Sequence, residues 1–339
     1  MAGMLQGPGL FRLILAMAVV VEHLSRLQIG SPAVMVFFAL SGYWVGRMYD
    51  QHYRHAPWPL LTFWTARLLR IWLPFAVAGL LAVLAARLLV GGGDRVPWIA
   101  LPLLGVATHG RDPIGIAWSL DIEMQFYLLL PALWLALRHL PPAALAAGLA
   151  ALTVLGWALD FGAGLRLAIA YLPLFLAGMA VHQLGLRASG RMAALSAGAF
   201  VLAGVIAWAV PALHPFVIWG SGDFALDRLF AMGWALILLP FVAWNVRQDS
   251  PAIDRHLGNL SYALYLVHYP AIQIGRQLLG RDFTDPEKLA FLLLLAPLGA
   301  ILFYLAVDRP AEALRRMVLA AVSAPRPRPL AATGTDRSR

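Results

Sequence analysis

The chain has 339 residues, of which 61% are hydrophobic and only 13% charged. Its mean hydropathy is +0.74. A soluble domain carries roughly a quarter charged residues, so this composition excludes an ordinary soluble fold and points to lipid as the solvent. The formal net charge of +9 comes from arginine, with Lys288 the single lysine. These arginines sit between apolar runs and not among aromatics in a polar groove, which argues against a nucleic-acid partner. Cysteine is absent, which excludes disulfides, thiolate catalysis and Cys-ligated zinc. No metal site is expected.

From the N-terminus, Met1 to Gly9 holds no basic residue, and no small-x-small cleavage site follows the first apolar run. That run therefore reads as a retained transmembrane helix and not a signal peptide. About 20 apolar residues are needed per crossing. By that ruler the chain is an all-α polytopic membrane protein with ten spans. They are Leu10–Leu27, Ala33–Tyr49, Ile71–Val90, Ile122–Leu137, Ala143–Leu159, Leu165–Leu184, Met192–Val210, Leu226–Val246, Leu260–Leu279 and Leu289–Val307. The fourth is short enough to be partly re-entrant. Asp50 to Arg70, with His52, Arg54, His55, Pro57 and Pro59, reads as a surface loop. Residues 1–316 form one transmembrane domain without internal repeats. Residues 317–339, including Ala324-Pro-Arg-Pro-Arg-Pro, read as a disordered basic tail. With the N-terminus inside, Arg47, Arg54, Arg67, Arg70, Arg138, Arg187, Arg191, Arg247, Arg255, Arg309, Arg315, Arg316, Arg326, Arg328, Arg337 and Arg339 fall in cytoplasmic loops and tail. The asymmetry places both termini in the cytoplasm.

Within this frame several polar residues sit where lipid would penalise them, and such residues are candidates for function. Arg12 and His23 lie eleven residues apart in the first span, three turns plus roughly 20°, so they share one face about 16 Å apart. Snorkelling of Arg12 and simple packing of His23 is the alternative reading. Arg67 and Arg70, at i and i+3, enter the third span on one face. Together with Arg12 they would make a phosphate site, or else ordinary flanking charge. In Trp118-Ser-Leu-Asp121-Ile-Glu123, Asp121 is expected to cap the helix. Glu123 is buried as its span begins and needs a partner, for which His23 is the candidate. Ser261, Tyr265 and His268 form a polar stripe on the ninth span. Interhelical hydrogen bonds would explain it, and His268 is a secondary catalytic candidate. Ser41, beside Gly42 in Phe37-Phe-Ala-Leu-Ser41-Gly42-Tyr43, is a packing residue in a close helix crossing or a nucleophile.

These motifs, taken in order, resemble the acyltransferase-3 family of bacterial integral-membrane acyltransferases. The likeness rests on Arg12-x10-His23, Phe37-Phe38-x-Leu40-Ser41-Gly42-Tyr43, Arg67-x-x-Arg70, and Trp118-Ser-Leu-x-x-Glu123-x-x-Phe126-Tyr127-x-x-x-Pro131. It continues in Phe175-Leu-Ala-Gly178-Met, Leu257-Gly-x-x-Ser261-Tyr262-x-x-Tyr265-Leu-x-His268-x-Pro270 and Asp308-Arg309-Pro310. The chain departs from the family pattern before Arg12 and at Leu13, and neither departure touches the chemistry. The resemblance implies ten core helices in the bacterial inner membrane. It implies acyl-CoA, acetyl-CoA first among such donors, as a substrate and not a resident cofactor. The reaction implied is O-acetylation or a related transfer to a hydroxyl of a polysaccharide, glycolipid or other carbohydrate. It implies His23 as the catalytic residue and Arg12, Arg67 and Arg70 as donor-binding or architectural.

Combining both lines, the donor phosphates are expected on the three arginines and the thioester near His23. His23 would act as general base and Glu123 would orient it. The rival is a carrier or flippase for a lipid-linked sugar, which would suit ten spans with buried charge. It gives no reason for an arginine and a histidine on one face.

Overall fold

The computed structural model describes residues 6–91, 103–279 and 286–323. Among them the fold is all-helical. Ten substantial helices carry the architecture: α1 (Pro8–Leu24), α2 (Gly30–Gln51), α3 (Pro59–Val90), α5 (Trp118–His139), α6 (Pro142–Ala163), α7 (Leu172–Gln183), α8 (Gly190–Ala209), α10 (Phe224–Leu236), α12 (Ala252–Leu279) and α13 (Pro286–Phe303). Short helices α4 (Val106–His109), α9 (His214–Val217) and α11 (Leu239–Asn245) lie between them, and α14 (Arg309–Val322) closes the described chain.

A helix stands at each of the ten expected positions, but length and apolarity alone qualify only five segments as membrane-crossing: Pro59–Leu89, Trp118–His139, Pro142–Ala163, Gly190–Ala209 and Ala290–Val322. A sixth arises if α10 and α11, bent by 56°, count as one span. The fourth expected span, far from short, is the full α5. The helices that do not qualify are informative. At 17 residues α1 is too short, and α2 and α12 carry Arg47, Asp50, Asp254, Asn259 and His268. All three contribute to the lining of an internal cavity, so their polarity serves an interior surface. By contrast α6 and α8 are only 11% and 17% buried, as peripheral helices facing apolar surroundings should be.

Pairwise contacts give the helix directions. Along α1, Gly9 and Leu10 meet Asp254, Arg12 meets Gly258, and His23 meets His268, so α1 and α12 run parallel. Asp254 accepts hydrogen bonds from the Gly9 and Leu10 amides at 2.9 and 2.8 Å. It thereby satisfies two of the orphan donors at the start of α1 and matches the positive end of the helix dipole. The pair α2 and α7 is also parallel, Phe38 stacking on Phe175 while Asp50 meets His182. Here Gly42 and Gly178 allow the backbones to touch, because a Cβ at either would overlap a carbonyl oxygen of the facing helix. The small-residue packing expected around Gly42 is thus what the helices use. Antiparallel neighbours are α8 with α10, where Phe200 meets Trp234 and Ser196 meets Ile237, and α12 with α13, where Gly275 meets Leu292 and Val267 meets Gly299.

The expected tail begins too early. A π-helical stretch, Tyr304–Asp308, follows α13, and α14 continues to Val322, because Arg309-Pro-Ala-Glu is a good helix start with Pro at the first turn. Residues 324–339 lie outside the described residues. Within the loop after the second span, Tyr53–His55 form one 3₁₀ turn and α3 starts at Pro59, so helix covers much of the region expected as loop.

Candidate functional site

A cavity of about 840 Å³ opens between α1, α2, α3, α5, α12 and α14. Arg12, Arg67 and Arg70 line it together, although they come from two helices 55 residues apart in sequence. Arg67 is buried at 7% exposure and donates to the Tyr53 hydroxyl at 3.2 Å, with its Nε buried and unpaired. Arg70 donates to Asp308 at 2.8 Å and lies over the Tyr262 ring. The Nε of Arg12 is also buried without a partner, and its guanidinium rests on Gly258, where a side chain would displace it. Two arginines that line the cavity thus each hold a buried guanidinium nitrogen without a partner among the described residues, a costly arrangement.

Deeper in the cavity lies a carboxylate with its own hydrogen-bond partners. Glu123 accepts from Ser41 Oγ at 2.6 Å and from the Tyr127 hydroxyl at 2.5 Å. This corrects the expected pairing: His23 is not its partner. Tyr127 is four residues along α5 and therefore stacked on the same face, while Ser41 reaches in from α2 at the crossing made possible by Gly42. Ser41 is thus a hydrogen-bond donor to Glu123 and not a packing residue only. Asp121 also differs from expectation. Its carboxylate accepts from the Ala107 amide at 2.8 Å and from Gln125, tying α4 to α5, while Ala117 occupies the cap position without a side-chain bond.

His23 and His268 do not line this cavity. They form a pair, ring centroids 5.4 Å apart, with Tyr269 edge-on to His23 at 4.8 Å. His268 is completely buried, and its Nδ1 faces the Leu264 and Tyr265 carbonyls at 3.0 and 2.8 Å. Carbonyls only accept, so Nδ1 carries the proton and the neutral ring keeps a lone pair on Nε2, which has no partner. Between the histidines and the cavity stands Tyr265, a cavity-lining residue whose hydroxyl meets Ser119 Oγ at 2.6 Å and whose ring is 5.8 Å from His268. Only Tyr265 of the expected stripe on α12 bonds across helices, since Ser261 donates to Gly258 of its own helix at 2.7 Å. Glu22, near the C-terminal end of α1, is held by the Ser31 amide and hydroxyl at 2.7 and 3.0 Å.

Sequence reasoning missed Tyr53, Ser119, Tyr127 and Asp308 as members of the site, and it missed the arginines of α14. Tyr127 was legible from its i+4 spacing to Glu123. Asp308 lies 238 residues from Arg70 and no local signal connects them.

An acyltransferase domain model matches residues 5–307 of the chain. Acyltransferase MdmB of Streptomyces mycarofaciens is 32% identical over 148 residues, covering 39% of this chain and 36% of that protein. The chain therefore spans about a third of the length of that relative. No solved structure matches.

Proposed function

Because the chain belongs to the acyltransferase-3 family, and so is an acyl-transferring enzyme, we propose that it carries an acyl group from cytoplasmic acyl-CoA to a carbohydrate hydroxyl. The observation that carries this reading is one cavity containing Arg12, Arg67 and Arg70 together with the Ser41–Glu123–Tyr127 group. The arginines hold the donor's phosphates through charge-assisted, forked hydrogen bonds. The acyl arm lies along the cavity toward Ser119 and Tyr265, beyond which stands His23. The acceptor oxygen attacks the thioester carbonyl, its proton passes to His23, the C–S bond breaks, and the thiolate leaves with CoA. Glu123, fixed by two hydroxyl donors, offsets the positive charge of Arg67 and Arg70 on the donor side. Because His23 does not line the cavity, thioester and histidine meet only if Tyr265, which lines the cavity and adjoins His268, turns aside.

Ten crossings with both termini cytoplasmic, in a bacterial inner membrane, complete the proposal. The parallel pairs α1/α12 and α2/α7 and the antiparallel pairs α8/α10 and α12/α13 agree with that order, as does the arginine asymmetry. Acetyl is the acyl group to test first. The test compares surface glycans of producing cells by mass spectrometry, with wild type, a gene deletion and His23→Ala. The expected result is an acyl mass increment that only wild type adds, with the variant still inserted. Identical glycans in all three strains, alongside unconsumed acetyl-CoA in purified nanodisc preparations, would remove the proposal.

A further inference from the structure

Seven arginines line the cavity against three carboxylates, Glu123, Asp308 and Glu312. The arginines divide by depth. Arg12, Arg67 and Arg70 are buried or half-buried, whereas Arg255, Arg309 and Arg316 are exposed. The seventh, Arg315, is already neutralised by two hydrogen bonds to Glu312 at 2.8 and 2.6 Å. Among the described residues Arg309 and Arg316 make no hydrogen bond or close ion pair, although Arg316 lies near enough to feel the charge of Glu312. They are seven residues apart, two turns along α14, and therefore project from one face of that helix. Both line the cavity just after the π-helical stretch Tyr304–Asp308, and the Asp308–Arg70 ion pair fastens the two tiers to each other.

A coenzyme A ester presents two anionic groups separated by a ribose, a diphosphate and a 3′-phosphate, with roughly four negative charges near neutral pH. The cavity offers two cationic groups and an excess of four positive charges. We propose that Arg309 and Arg316 of α14 form a second donor subsite that binds the ribose 3′-phosphate, leaving the diphosphate to the buried tier. This rests on the acyl-CoA reading above and adds to it a selection rule: the enzyme distinguishes a 3′-phosphorylated nucleotide donor from donors lacking that phosphate.

The experiment uses full-length protein in zwitterionic-lipid nanodiscs and two probes, acetyl-CoA and acetyl-3′-dephospho-CoA, with binding measured by calorimetry. Wild type should bind acetyl-CoA about ten-fold more tightly, the scale of one lost charge-assisted contact. The double variant Arg309→Gln/Arg316→Gln should bind both probes equally, at the wild-type affinity for the dephospho form. Arg67→Ala should weaken both probes and keep their ratio. Both substituted side chains of the double variant are exposed, so folding should persist, and an unchanged melting temperature verifies it. A preference retained in the double variant, or absent from wild type, overturns the subsite. If these arginines instead hold lipid headgroups, the double variant keeps the preference and loses co-purifying anionic lipid, which also overturns it. If wild type binds neither probe, the acyl-CoA reading fails and takes the subsite with it.

Discussion

Replacing Gly258 by alanine adds one methyl group at the place where α12 meets the Arg12 guanidinium. That methyl would overlap Arg12 Nη2 and lie 2.9 Å from its Cζ, against ordinary carbon contacts of ~3.5–4.0 Å. The backbone neighbour, Gly9 Cα, would be 3.1 Å away and has to give by a few tenths of an ångström. The flexible guanidinium therefore has to move by about 1 Å or more, which spoils a charge-assisted phosphate contact worth about 1.5–3 kcal/mol. At about 1.4 kcal/mol per decade, the Kd for acetyl-CoA should rise by roughly 10- to 150-fold. Stability should not fall to match, because alanine is better than glycine in a helix interior by about 1 kcal/mol. Calorimetric titration of acetyl-CoA into nanodisc-embedded protein, beside thermal unfolding, separates the two effects. A folded Gly258→Ala protein with wild-type donor affinity would refute the assignment of Arg12 to the donor. A loss of fold without a change in affinity would make the Gly258–Arg12 contact architectural.

Other consequences are equally direct. Glu123→Gln should lower turnover by about 10²-fold or more, and Tyr127→Phe by less, since Ser41 still holds the carboxylate; single-turnover transfer from radiolabelled acetyl-CoA reads both. Asp160 lies buried against Arg228, itself 1% exposed, so Asp160→Ala leaves an uncompensated buried charge and should cost about 3–5 kcal/mol, seen as a large drop in melting temperature. Equal stability of that variant would mean that water or lipid reaches Arg228. Reporter fusions after Arg138, Arg187 and Arg247 should signal cytoplasm and those at Asp112 and Gly220 the exterior; a cytoplasmic signal at Gly220 breaks the ten-crossing order.

Much of the site was legible along the chain wherever one helix carries the information. Helix pitch alone puts Arg12 and His23 on one face, and both do abut α12, at Gly258 and at His268. The same pitch pairs Arg67 with Arg70, and both line the cavity. Apolar runs located the helices, because the cost of unpaired backbone in lipid leaves little choice but helix. They did not locate the helix ends, since α3 begins at Pro59 and α12 at Ala252, well before the expected Ile71 and Leu260. Partner choice was another matter. Burial told that Glu123 needs a partner, yet Ser41 and Tyr127 supply it while His23 pairs with His268 behind Tyr265. Periodicity reports which way a side chain points but not which helix stands opposite. That is set by where Gly42 and Gly178 let backbones close up and by ion pairs such as Arg70–Asp308. Such contacts join residues tens to hundreds of positions apart, and only the packed bundle determines them.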